Sequence, residues 1–394
     1  MTGKESAVTS RASKVLHVGK FYPPHKGGME THLRDLCLGL SQSLEIEVLV
    51  ANDSWRTERS RPDGISVTRV GTPISLLGAP VSPTTARRIR DARAQIVHLH
   101  FPHPTAAFAF LASRVDTPLV ISWHSDIVRQ RFTTILIAPL MRRVLARCGA
   151  LIAGSAAYLD SSPTLSTNRA RCHVVPYGVP IGKFERFDSA RVAELRRRHG
   201  DRIVLAVGRM IYYKGFEHLV RAMVNVRGSL LLAGDGPMRK RLEREARELG
   251  IADRVIFAGR VEDSELVDLY HACDVFALPS IARSEAFGIV QLEAMACGKP
   301  VVNTRLDSGA TQVSIDGMTG LTVAPSDPIA LASALNLLLG DPPMRAAMGA
   351  AGRRRVREEF SIEAMVRRTI EVYQSVLPTL ERESAGAKSH GHGL

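Results

Sequence analysis

At 394 residues the chain is long for a single hydrophobic core, so two domains are expected. Its 45% hydrophobic and 23% charged residues describe an ordinary folded protein, and 5% aromatic residues argue against a base-stacking surface for single-stranded nucleic acid. A formal net charge of +13 suits an anionic partner (nucleic acid, anionic lipid or a phosphorylated substrate), unless it is only the solvated surface of an Arg-rich chain.

In chain order, Met1 to Lys14 is polar and lacks the apolar core of a signal peptide. Lys14 to Val18 reads as a short strand, Gly19 to Gly28 as a Gly/Pro-rich loop, and Met29 to Leu40 as a helix. Strands follow at Glu45 to Ala51, Ile65 to Val70, Ile96 to His100, Leu119 to Trp123 and Ala150 to Ala153. The basic runs Arg87, Arg88, Arg90, Arg93 and Arg129, Arg131, Arg142, Arg143, Arg147 fall in this half, which favours a surface role for it. Val174 to Pro180 reads as the break. A second strand series occupies Ile203 to Val207, Ser229 to Ala233, Val255 to Ala258, Val275 to Ala277, Pro300 to Asn303 and Gly320 to Val323, with helices at Met238 to Leu249 and Ser264 to Ala272. Strand and helix alternation of this kind predicts parallel, doubly wound sheets with ligands bound after the carboxyl ends of strands. The expected architecture is α/β, with two Rossmann-like domains facing across a cleft: 1–177, 178–382, and a disordered tail at 383–394. Cys37, Cys148, Cys172, Cys273 and Cys297 are scattered and odd in number, which implies neither a disulfide frame nor a zinc site and fits a reducing cytoplasm. No stretch approaches the roughly 18 apolar residues of a membrane span.

The residues that carry chemistry sit at strand ends. Ser284 and Glu285 stand where a helix N-cap is expected. On a helix, Glu293 would return to within about 80° of Glu285, so both carboxylates could border one ligand. The amides of Ala286, Phe287 and Gly288 would then point out of the helix start towards an anion. Carboxylates beside an anion site suit a ligand that presents hydroxyls next to phosphate, as a sugar nucleotide does. Arg209 and Lys214 follow a strand and suit a diphosphate, although a surface pair is the plain alternative. Gly234-Asp235-Gly236 opens a helix but lacks the third glycine of a dinucleotide fingerprint; Gly27 and Gly28 precede the first long helix. Either could bring backbone close to phosphate or be a mere turn. His124 follows a strand at the expected ligand side. His98, His100 and His103 resemble a metal spacing, but no acidic partner is adjacent and no metal is expected.

Together these residues resemble the retaining glycosyltransferases of family 4, of GT-B architecture, over roughly Val15 to Leu377. Glu285 and Glu293 match that family's E-x7-E pair, accompanied in order by Gly208-Arg209, Lys214-Gly215, Gly234-Asp235-Gly236, Gly298-Lys299-Pro300-Val301-Val302 and Thr319-Gly320-Leu321. The resemblance implies catalytic roles for Arg209, Lys214, Glu285 and His124. It places Gly27, Gly28, Gly234, Gly236, Ala286, Phe287, Gly288, Ile289 and Glu293 around the donor, Glu293 on the ribose and His124 near the anomeric carbon. It implies no cofactor beyond the nucleotide-sugar co-substrate. The run Asn303 to Ala310, where many relatives carry a Gly-Val-Pro-Glu type turn, is similar to the variant in bacterial exopolysaccharide and O-antigen transferases.

The resulting expectation is a metal-independent hexosyltransferase. It would move mannose from GDP-mannose, in α linkage, onto a polyprenyl-diphosphate-linked oligosaccharide for exopolysaccharide assembly. The Arg-rich first half would hold it on the cytoplasmic face of the membrane, with Arg129 to Arg147 as one candidate contact, unless that helix simply packs on its own domain. The alternatives are a UDP-sugar transferase of the same fold and a nucleotide-sugar or nucleic-acid binding module without catalysis. Nucleic acid is not the expected partner.

Overall fold

The computed structural model describes residues 13–25, 27–76, 79–125 and 131–377. Lys26, Asp126, Arg129 and the tail at 383–394 lie outside the described residues. The chain divides into two compact units, one comprising Met1–Ile152, Ala170–His173 and Val366–Leu394, the other Ala153–Arg169 and Val174–Met365.

The first unit carries strands β1 (Lys14–Val18), β2 (Glu45–Ala51), β3 (Glu58–Ser60), β4 (Ser66–Val70), β5 (Ile74–Leu76), β6 (Ala79–Val81), β7 (Ile96–Phe101), β8 (Leu119–Trp123), β9 (Cys148–Ala153) and β10 (Cys172–Val174). Its sheet runs β10-β9-β8-β7-β1-β2-β4-β3, with β5 and β6 as a separate hairpin. The order reverses between β1 and β7, so this is where a ligand crevice is expected. β7 and β8 are buried along their whole length. Such burial normally selects an unbroken apolar run. Here His98 and His100 interrupt β7 at buried positions, and His17 does the same in β1.

The second unit carries β11 (Ile203–Val207), β12 (Ser229–Ala233), β13 (Val255–Gly259), β14 (Val275–Leu278), β15 (Val301–Thr304) and β16 (Gly320–Val323) in the order β13-β12-β11-β14-β15-β16, all parallel. Val204 and Ala206 join one apolar cluster while Ile203, Leu205 and Val207 join another. Both faces of the sheet are therefore core, which is why the sequence reads as short continuous apolar strands with helices between them. The strand order reverses between β11 and β14.

The division differs from a cut after residue 177, and side-chain contacts explain why. Ser155 caps the helix Ala156–Ser161 by accepting from the Tyr158 amide. The Ala157 amide donates to Gln312 Oε1, and a Cβ on Gly309 would lie 2.5 Å from Ser155 Oγ. These contacts bind the segment after β9 to the second unit. At the other end, Tyr373, on the helix Ile362–Val376, hydrogen-bonds His17 and His98 of the first unit.

Candidate active site

In the second unit, the loops after β11 and β14 flank the point where strand order reverses. Gly208 and Arg209 follow β11. The turn Tyr212–Lys214 then leads to the helix Phe216–Ala222. Lys214 Nζ lies 2.6 Å from Glu285 Oε2, with both side chains about nine-tenths buried. Ser280 Oγ donates to the same oxygen at 2.9 Å. The Ile281 amide donates to the Tyr213 carbonyl at 2.8 Å and ties the two loops together. Arg209 is exposed. Burial raises the Tyr213 phenol, opposed by Lys214, reinforced by Glu285 and again opposed by Arg209. Lys214 and Glu285 are thus in contact, and Arg209 lies earlier on the loop that leads from β11 to Lys214.

The glycines do mainly backbone work. Gly234, at φ +130°, takes the place of any side chain because a Cβ there would sit 2.0 Å from the Gly208 carbonyl oxygen. A Cβ on Gly236 would sit 2.5 Å from the Met210 carbonyl oxygen. The Gly208 amide donates to the Ala233 carbonyl and the Met210 amide to Asp235, so the two loops run side by side past the ends of their strands. Gly234 and Gly236 therefore hold the loop that carries Arg209.

The expected helix start at Ser284 and Glu285 is corrected. The helix runs Ile289–Ala296, with Gly288 as N-cap in the left-handed region. Phe287 is buried against Tyr177 and Phe360, and an apolar anchor followed by a left-handed glycine keeps residues 285–288 out of the helix. The helical angle between Glu285 and Glu293 does not apply, because only Glu293 is on the helix. Tyr270 Oη donates to Glu293 Oε2 at 2.6 Å. The start of the helix is fixed by Gln291, whose amide nitrogen donates to the Ala310 carbonyl and whose oxygen accepts from Asn303. Thr322 in turn donates to Asn303, and Ser308 Oγ donates to the Glu285 carbonyl. The Asn303 to Ala310 run thus supports the turn that presents Glu285. Ser280, Tyr213 and Tyr270 were not marked by the sequence, since nothing local distinguishes them from other polar residues.

The first unit holds the remaining expected residues. The first helix begins at Gly28, with Gly27 as N-cap and Glu30 in its first turn; a Cβ on Gly27 would meet the Glu30 carboxylate. A carboxylate from the chain itself thus lies by this helix end, where the partial positive charge favours an anion. His124, just past β8, is buried and donates its amide to the Phe101 carbonyl at 3.0 Å. His100 lies within β7, and among the described residues the groups with metal-like spacing are His17, His98, His100 and His32, His100, His124, without His103. Burial lowers His17 to about 3 and His124 to about 4. It also holds His32, His98 and His100 well below the ordinary range, helped by their histidine neighbours. His103 falls to about 4 through burial and the Lys20 cation. Of the helix Arg131–Arg147, Met141 and Val144 are buried while Arg142 and Arg143 point outward, so this part packs its apolar side on protein.

Two Rossmann-type units, with the Lys214–Glu285 pair at the switch point of the second, define a doubly wound α/β protein. Residues 27–178 match the glycosyl transferase 4-like domain, and residues 189–355 match the glycosyl transferases group 1. The O-antigen chain mannosyltransferase C of Escherichia coli is 30% identical over 368 residues, which cover 92% of this chain and 99% of that one. The D-rhamnosyltransferase WbpZ of Pseudomonas aeruginosa is 32% identical over 88% of this chain and 92% of its own. A GDP-mannose-dependent alpha-(1-6)-phosphatidylinositol monomannoside mannosyltransferase of Mycolicibacterium smegmatis is 31% identical over 86% and 92%. Among solved structures, Anabaena Alr3699/HepE in complex with UDP has a TM-score of 0.76 at 22% identity, covering 92% of this chain and 100% of that one, a likeness of fold. The chain belongs to the family 4 glycosyltransferases of GT-B architecture.

Proposed function

We propose that this glycosyltransferase is a retaining, metal-independent mannosyltransferase. It takes mannose from GDP-mannose and adds it in α linkage to a polyprenyl-diphosphate-linked oligosaccharide at the cytoplasmic face of the membrane, in exopolysaccharide assembly. The observation that carries the catalytic part is the buried Lys214–Glu285 ion pair, with Arg209 on the loop that leads to Lys214. The donor part is supported by full-length relatives named as mannosyltransferases, one of them GDP-mannose-dependent.

The chemistry follows from charge. Breaking the bond between the anomeric carbon and the donor phosphate leaves negative charge on the diphosphate. Arg209 can clamp two oxygens and Lys214 adds a point charge. Glu285 holds Lys214 in place through one oxygen, already fixed by Ser280, and its carboxylate borders the space for the sugar hydroxyls. Glu293, steadied by Tyr270, takes the ribose hydroxyls. The acceptor oxygen bonds to the anomeric carbon on the face the phosphate leaves, and its proton passes to the departing phosphate oxygen. Preorganised cations acting on developing charge can supply the largest share of such a rate gain. On the acceptor side, the exposed Arg87, Arg90 and Arg93 of the first unit suit an anionic lipid surface.

A nucleotide-release assay over a panel of GDP- and UDP-sugars tests this reading. GDP release from GDP-mannose is expected. Preferential UDP release would replace the donor, and no release from folded protein would favour a binding module. Flotation with liposomes should depend on anionic lipid, and indifference to lipid charge would remove the membrane from the proposal.

A further inference from the structure

The helix Pro104–Ser113 of the first unit begins among polar groups that the protein itself does not satisfy. His103 is its N-cap and is only 8% exposed, yet its side chain caps no amide and its Nδ1 is buried without a hydrogen bond. Thr105, in the first turn, buries Oγ1 without one as well. The His103 carbonyl accepts from the Ala106 and Ala107 amides, Pro104 has no N–H, and the Thr105 amide finds no acceptor among the described residues. Buried polar atoms are almost always partnered, and leaving one unpaired costs stability. Stability alone would favour valine at 105, which has the shape of threonine without the hydroxyl.

The place is one where a doubly wound sheet binds ligands. This helix follows β7, and strand order reverses between β7 and its neighbour β1. Val18 pairs with Leu99, so Lys20 and His103 leave the sheet at the same end. Lys20 Nζ lies 5.4 Å from the Phe21 ring centroid and has no carboxylate partner among the described residues. Burial and the Lys20 cation keep the His103 ring neutral, at about 4. The first turn holds no acidic residue, unlike the helix Gly28–Leu40 with its Glu30. What this place can offer a ligand is therefore donors: the Thr105 amide and hydroxyl, one ring N–H of His103 and the Lys20 ammonium. Donors and a cation at a helix N-terminus, with no acid in its first turn, fit the oxygens of a phosphate. A sugar hydroxyl would leave both the helix end and the ammonium without an opposite charge.

We propose that Lys20, His103 and Thr105 form a phosphate subsite at the start of the helix Pro104–Ser113, and that it holds the diphosphate of the lipid-linked acceptor. The assignment to the acceptor rests on the proposed polyprenyl-diphosphate substrate; the phosphate subsite does not.

Titration calorimetry of the full chain with farnesyl diphosphate, farnesol and GDP tests both parts. The wild type is expected to bind farnesyl diphosphate roughly tenfold or more tightly than farnesol. Thr105→Val and Lys20→Met should each weaken farnesyl diphosphate roughly tenfold and leave GDP within about twofold. Thr105→Val should also keep or raise Tm, because it removes an unpaired hydroxyl, whereas a structural role for Thr105 requires a lower Tm. No preference over farnesol, or unchanged farnesyl diphosphate affinity in either variant, would overturn the subsite. Equal losses for farnesyl diphosphate and GDP would make the phosphate the donor's and overturn the assignment to the acceptor. Farnesyl diphosphate binding that needs Thr105 and Lys20, in a protein that releases no GDP from GDP-mannose, would support the subsite while removing the proposed donor, so the two readings fail separately.

Discussion

Acid should unfold the first unit before the second. Burial keeps His17, His32, His98, His100, His103 and His124 neutral in the folded state. In an unfolded chain each takes a proton near its ordinary pKa of about 6.5. The unfolded state therefore binds more protons as pH falls below that value, and stability rises with pH: it is complete above about 6.5 and is lost progressively on the way down towards the folded values near 4. At pH 5.5 the difference is on the order of 1 kcal/mol for each of His17, His103 and His124. His17, His103 and His124 together then cost on the order of 4 kcal/mol, with His32, His98 and His100 acting in the same direction, against a domain stability of roughly 5–15 kcal/mol. Hydrogen exchange read by mass spectrometry between pH 7 and pH 5 gives the answer segment by segment. Peptides of β1, β7 and β8 should lose protection by about pH 5.5, corrected for intrinsic exchange, while those of β11 and β14 keep theirs. Undiminished protection of β1 and β7 at pH 5.5 would refute the argument.

Replacing Lys214 by Ala leaves Glu285 buried without its cation; turnover should fall about 100-fold or more with a smaller change in donor affinity, checked by steady-state kinetics and donor titration. Gly234→Ala forces a backbone shift at the Gly208 carbonyl and should cost about 2–4 kcal/mol, visible as a lower Tm together with lost activity. Tyr270→Phe removes the 2.6 Å bond to Glu293 and should raise donor KM severalfold while kcat changes little. Activity should persist in excess EDTA; a complete loss restored by added metal would contradict a mechanism run on Arg209 and Lys214.

Strand positions were legible because sheets buried on both faces demand continuous apolar runs, and β11 shows this directly in the alternation of its residues between two cores. Short edge elements such as β3 and the β5 and β6 hairpin were not, since Glu58–Ser60 buries no side chain. Lys214 and Glu285, which the order of motifs along the chain singles out, meet in the fold, but nothing local in the sequence marks them as a pair. Ser284-Glu285 has the composition of a helix cap, and only the burial of Phe287 and the left-handed turn at Gly288 move the helix start to Ile289. The buried histidines of the first unit were half visible: His98 and His100, two apart, had to share a strand face. Tyr373, 275 residues from His98, carries no local mark of its partner.

The return of the last helix has a consequence for how this chain can be cut and built. The first unit is interrupted in sequence by nearly all of the second. A fragment ending at residue 152 would keep β1 and β7 but lack the hydroxyl that His17 and His98 share. On a ribosome the same holds until residue 373 has emerged, so the second unit is available to fold first. A dissected first unit should carry residues 366–377 joined by a linker, a permutation that the order of synthesis never provides.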